Sequence, residues 1–209
     1  MGVMAVMIAV AVVLAVALVV VLKVTTQLIE ICMPNELVVV SGRQQSNGDA
    51  FRIVAGGRTL RIPPLENAER ISLNAIPIDG KDSNAYSKGN IPLSITFIAS
   101  VAVSAEPSTA RNAIERFLGR DSTEIARVAK ETIEGHLRGV VSEHKPEELV
   151  ADQMEMARKL VEECADDFAK LGLEIDVLLL GTIEDEVGYL QGLADAAIAQ
   201  AQGAQPGGQ

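Results

Sequence analysis

Two histidines, His136 and His144, are the side chains of this 209-residue sequence best suited to hold a metal or move a proton, with Glu143, Glu147 and Glu148 close to the second. Eight residues of helical spacing set the two rings about 12 Å apart, too far to share one ion. Solvated helix histidines are the plainer reading, and no metal or other cofactor is expected. Cys164 falls on the apolar face of a Glu-rich helix, where burial and negative neighbours raise a thiol pKa and quench its reactivity. Cys32 follows the apolar N-terminal run; a single buried cysteine is the plainer reading, with lipidation close to a membrane as the alternative. Paired acids such as Glu162-Glu163 and Asp166-Asp167 occupy the solvent side of a helix, whereas general acid–base catalysis needs a buried, perturbed pair. No serine stands at a recognisable spacing from a histidine and a carboxylate, and no Gly-rich loop leads into Gly-Lys-Ser/Thr. These residues point away from an enzyme.

Composition narrows the partners. The net charge is −10 with six aromatic residues and no Trp, a poor surface for phosphate backbones or stacked bases, so nucleic acid is not expected. Two cysteines are too few for a disulfide scaffold or a Cys₄ zinc site. Charge is also unevenly placed: residues 23–120 carry 11 Lys/Arg against 9 Asp/Glu, and residues 121–209 carry 7 against 19. The first half tolerates an anionic surface that would repel the second. A helical half that simply solvates itself with Glu gives the same asymmetry.

The elements that position these groups begin with an apolar run. Of residues 1–22, 21 are apolar and nine are Val, with no charge before Lys23. As a helix this run reaches about 33 Å, enough for a ~30 Å hydrocarbon core. It lacks the basic n-region and short core of a cleaved signal peptide, so a transmembrane anchor over 1–22 is expected. Lys23 is a weak pointer to a cytoplasmic C-terminal side. Leu37–Val40 and Phe51–Val54 then predict short strands, and Gly56-Gly57 a tight turn into a further strand, Arg58–Ile62. Half-buried strands are expected around Ile71, Leu73, Ile76 and Ile78. The strict alternation from Leu93 to Val103 is the strongest strand pattern in the chain. Helices follow from Pro107 to about Leu118, from an Asp121 cap to Val141, and from Pro146 to Leu171. The last of these should bury Leu149, Met154, Ala157, Leu160, Val161, Cys164, Phe168 and Leu171. A strand over Leu173–Leu180, a helix over 187–202 and a disordered tail over 203–209 complete the chain.

Four ordered blocks carry a family resemblance. Gly56-Gly57-Arg58-Thr59-Leu60-Arg61-Ile62-Pro63-Pro64-Leu65-Glu66 and Asn84-Ala85-Tyr86-Ser87-Lys88-Gly89-Asn90-Ile91-Pro92-Leu93 resemble flotillins and related bacterial membrane scaffolds. So do Ile125–Val141, with Glu134-Gly135-His136-Leu137-Arg138-Gly139, and the stretch from Leu171-Gly172-Leu173 through Val187-Gly188-Tyr189-Leu190. The flotillins belong to the stomatin, prohibitin, flotillin and HflK/C superfamily, which shares the SPFH (Band 7) domain.

The resemblance implies an α+β chain: a transmembrane helix, then an SPFH domain with a membrane-near β-rich part over 33–105 and a helix-and-strand part over 106–186. It implies a homo-oligomer on the cytoplasmic side of the cell membrane, single-pass, organising membrane lipids and other membrane proteins into microdomains without chemistry. An NfeD-type partner is one candidate. The alternative is an HflK/C-like regulatory subunit of a membrane-bound protease. Flotillins normally continue into a long Ala/Glu-rich coiled coil, and no sustained heptad precedes Gln209. Two candidate surfaces follow. Arg43, Arg52, Arg58 and Arg61, with Asp49 the one acid between residues 41 and 61, are candidate lipid-headgroup contacts. Glu155, Glu162 and Glu163 on the acidic helix, opposite Arg116, Arg120 and Arg127 of a neighbour, are candidate oligomer contacts.

Overall fold

The apolar N-terminal run folds as helix α1 (Gly2–Leu28), and every large apolar side chain from Val12 to Leu22 is more than half exposed. A computed structural model describes residues 2–42, 51–60, 62, 65–185, 187–192 and 195. The transmembrane anchor expected over 1–22 is not found: among the described residues no helix is long and apolar enough to cross a membrane. The helix outlasts the apolar run and passes directly into a strand at Ile29.

Two compact units divide the chain, 1–74 and 75–209. In the first, β1 (Ile29–Ser41) is the central strand of an antiparallel sheet, between β2 (Phe51–Leu60) and β3 (Asn67–Ser72). Its run Leu37–Val40 is buried throughout, as an unbroken apolar strand in mid-sheet should be. Gly56 and Gly57 do not turn the chain into a new strand. Both have positive φ, 69° and 90°, and sit within β2 at an irregularity in its pairing with β1. Cys32 faces Gly57 and Leu37 faces Ala55, so Met33–Glu36 bulge out against the single residue Gly56. The φ > 0 that glycine supplies for a tight turn serves a bulge equally well, which is why the dipeptide alone misplaces the hairpin.

In the second unit, β4 (Ile76–Tyr86), β5 (Pro92–Val103) and β6 (Leu173–Asp185) form an antiparallel sheet in the order β4-β5-β6. The alternating run is its centre: Leu93, Ile95, Phe97, Ala99, Val101 and Val103 are all buried. Thus β5 pairs with β6, some 70 residues later, and with β4 on its other side, and neither β4 nor β5 joins the sheet of residues 29–72. A period of two marks a strand but names no partner.

Helices α2 (Pro107–Phe117), α3 (Ser122–Glu143), α4 (Pro146–Ala151) and α5 (Gln153–Leu171) accompany this sheet. Asp121 precedes α3 but makes no side-chain cap; its carboxylate takes the Ser122 and Thr123 hydroxyls instead. The single helix expected from Pro146 to Leu171 breaks at Asp152 (φ −137°, ψ 70°), whose carboxylate accepts the Glu155 N–H at 3.0 Å and caps α5. α3 lies against β4 and α5 against β6. Met156, Ala157, Leu160, Cys164 and Phe168 form the buried face of α5, whereas Met154 is 83% exposed. Met154 falls at the margin of the apolar stripe, where the sheet ends at β6. Gly172 stops α5 with φ 80°, and a Cβ there would come within 2.2 Å of the Ala113 amide of α2. Of the helix expected over 187–202, residues 187–192 and 195 are described, with helical backbone from Tyr189 to Gly192; the tail lies outside the described residues.

Candidate functional site

The basic set expected near the bilayer is described in half. Arg43 and Arg61 lie outside the described residues. Arg52 is turned back onto its own strand, donating to Thr59 Oγ1 at 2.9 Å and to the Leu60 carbonyl at 3.2 Å. Arg58 is exposed, opposite Ile31 in the β1–β2 register. Around it Ile31, Met33 and Leu60 are 58%, 53% and 67% exposed, so the ribbon that continues from α1 presents apolar side chains as well as charge. Arg70, which the sequence did not single out, is committed to Glu30 and Glu36 at 2.8 and 3.3 Å. The Glu30 hydrogen bond, ahead of the two carboxylate charges, holds its pKa above the usual arginine value.

Cys32 anchors the bulge. Its thiol lies 3.1 Å from the Glu36 carbonyl and 3.3 Å from that of Val54, and its sulfur accepts the Gly56 N–H. Packed with Val38, Val40, Val54 and Ala68, it is 4% exposed, a structural thiol closed to an acyl group.

In the second unit the proposed self-association residues fall into two classes. Arg127 is clamped within α3 between Glu124 and Glu131, both at 2.8 Å, and these hydrogen bonds raise its pKa. Glu155 is likewise taken by Arg158 at 2.8 Å. Arg116, Arg120, Glu162 and Glu163 are exposed and form no salt bridge among the described residues. Lys130, a further base on this side, donates to the Asp79 carbonyl of β4 at 3.1 Å.

The histidines are placed by neighbours rather than by a ligand. His136 Nε2 lies 3.1 Å from Asp167 of α5, and the carboxyl of Asp167 is held below its ordinary range first by Lys170 and then by His136. His144 Nδ1 lies 2.8 Å from the Val140 carbonyl, while its Nε2 is 3.1 Å from the Lys159 ammonium. Among the described residues no three His, Cys, Asp or Glu side chains cluster closely enough to hold a metal ion. Burial, then the charges of Asp167 and Glu163, pushes the Cys164 thiol up to about 12.

The arrangement is therefore one of surfaces: an exposed apolar helix, a ribbon with an exposed arginine, and a helical layer that exposes Arg116 and Arg120 around one turn and Glu162 and Glu163 on α5. Comparison with known proteins agrees with the residue blocks that suggested such a scaffold, since residues 30–205 match the SPFH domain / Band 7 family. The chain belongs to that family. It is 33% identical over 172 residues to flotillin-1 of Homo sapiens and of Mus musculus, and 30% identical over the same length to flotillin-1 of Carassius auratus. Each match takes in 82% of this chain and 40% of the relative, so this flotillin-like SPFH chain spans about two fifths of the length of those relatives.

Proposed function

We propose that this SPFH protein is a membrane-anchored, non-enzymatic scaffold that self-associates in the plane of the membrane and gathers lipids and other membrane proteins. The observation that carries the reading is α1. Its large apolar side chains from Val12 to Leu22 are exposed on every side, and water is a poor solvent for such a helix. The 13 Val, Ile and Leu residues between Val3 and Leu22 favour a bilayer by several kcal/mol as an upper bound, at about −0.3 to −0.6 kcal/mol each. On this reading α1 enters the bilayer and the domain that follows lies on its cytoplasmic side. The exposed ribbon residues Ile31, Met33 and Leu60 then sit at the interface, with Arg58 toward anionic headgroups.

Self-association on this reading is polar, with Arg116 and Arg120 of one copy toward Glu162 and Glu163 of another. Such contacts are individually weak and become effective through many copies held in one plane. The test is energy transfer between donor- and acceptor-labelled full-length protein on anionic vesicles and in dilute detergent. Strong transfer on vesicles, falling as salt screens exposed pairs beyond about 8–10 Å, supports the proposal. Equal transfer in dilute detergent at high salt overturns it, because that outcome requires an apolar, concentration-independent interface.

A further inference from the structure

Along the outer side of α5, where the sheet ends at β6, an apolar cleft of about 510 Å³ is lined by Met154, Ala157, Val161, Leu178 and Leu180. A second hollow of about 320 Å³ continues it past Val161 to Ala165 and Ala169, against Glu106 and Glu174. The two share Val161 and make one groove parallel to α5. Its far rim is acidic: Glu162 and Asp166 follow Val161 and Ala165 on the helix and are exposed. The one base in the lining, Arg158, is already paired with Glu155 at 2.8 Å. An occupant of this groove should bring an apolar tip between positive charges.

The same unit carries such a group. Between α2 and α3 the chain turns sharply, with Arg120 N–H donating to the Phe117 carbonyl at 2.9 Å and Gly119 at φ 74°. This turn presents half-buried Leu118 flanked by exposed Arg116 and Arg120. Arg120 sits near Glu124 in the next turn, and neither arginine forms a salt bridge among the described residues. The groove runs beside β6; α2, which ends at the basic turn, packs on α5 and β6, and α3, which starts at that turn, lies over β4 at the other edge of the sheet. Two different, complementary surfaces on one chain make a head-to-tail contact, which repeats into a ring or a row.

We infer that the groove beside β6 receives the Arg116–Leu118–Arg120 turn of a second copy. Leu118 lies on the Val161 floor, and the two guanidinium groups meet Glu162, Asp166, Glu106 and Glu174 at the rims. This rests on the self-association proposed above and gives it a specific surface and a direction.

The experiment uses the full chain on anionic vesicles. One batch carries Leu118→Cys, the other Val161→Cys, and a short bismaleimide links them; the unsubstituted protein measures the background from buried Cys32 and Cys164. The expected result is a crosslinked pair in the mixture and little in either batch alone. Arg116→Glu with Arg120→Glu in the first batch should lower the yield about tenfold, since like charges are then driven together. Adding Glu162→Lys and Glu174→Lys to the second batch should restore most of it, a rescue that mere misfolding does not give. Energy transfer is read on the same vesicles. If transfer persists but the 118–161 pair does not form, or the charge swap fails to rescue it, the groove assignment is overturned and self-association stands. If transfer is absent, both are overturned.

Discussion

Arg138 of α3 reaches Asp82 in a bulge of β4, Nε to Oδ2 at 2.7 Å, and the carboxylate it meets is 2% exposed. The Asn84 N–H donates to Oδ1 of the same group at 2.9 Å. This contact fastens the helical layer to the sheet edge and is the main reason, ahead of the Coulomb attraction, that the Arg138 pKa is raised. Removing the arginine leaves a desolvated carboxylate with one backbone donor. Arg138→Ala should therefore lower unfolding free energy by about 1–3 kcal/mol, the range for losing a hydrogen bond to a charged group at a partly exposed site. Denaturant unfolding of the single variant and of Arg138→Gln/Asp82→Asn checks this. The double variant should recover part of the loss, and a double variant no better than Arg138→Ala would remove the buried charge from the explanation.

Cys164 is fully buried on α5, with its thiol pushed up to about 12 by burial ahead of the nearby acids. At pH 8 the folded protein should leave Cys164 unmodified by iodoacetamide, since the thiolate is the nucleophile and is scarcely populated. Peptide mapping after alkylation, with and without denaturant, reads the result. Labelling of Cys164 in the folded chain at a rate near that of a free thiol would contradict the placement.

The hydroxyl of Tyr189 donates to Glu147 of α4 at 2.6 Å, while its backbone N–H meets Asp185. Glu147 raises the Tyr189 pKa above its ordinary value of 10.0, chiefly through this hydrogen bond. The phenol stays protonated in the folded chain, so its contribution is complete below about pH 10 and is lost as pH rises through the folded value. The same bond, ahead of the residue's own backbone hydrogen bond, lowers the Glu147 pKa below 4.5. That contribution is complete above pH 4.5 and is lost as pH falls through the folded value. Ultraviolet titration of the wild type minus Tyr189→Phe should show a tyrosinate midpoint above pH 10. A midpoint at or below pH 10 would show that the segment after β6 is not held against α4.

Much of the second unit was legible because its patterns are local. The alternation of Leu93–Val103 and the helical spacing from Ile125 to Val141 describe faces that a single element must bury, and those faces are buried. The break at Asp152 was not legible, since the apolar spacing continues on both sides and only the cap geometry marks a new start. Nor was the Asp82–Arg138 pair, because 56 residues separate partners that a helix–sheet contact brings together. At the candidate surfaces, composition identified exposed charge but not which charges spend themselves on neighbours. Arg127 and Arg116 look alike in the sequence, and one is clamped by two glutamates.

The account stands on the anchor, and the most direct measurement is flotation of vesicles after carbonate washing, comparing the full chain with one lacking residues 1–22. Circular dichroism of the shortened chain, showing its sheet and helices retained, makes the two comparable. The account predicts that the full chain floats with the vesicles through carbonate and high salt. The shortened chain should leave them when salt is raised, holding only by the weak ribbon and arginine contacts. A shortened chain that floats as fully as the intact one after carbonate would place the membrane attachment outside α1 and contradict the account.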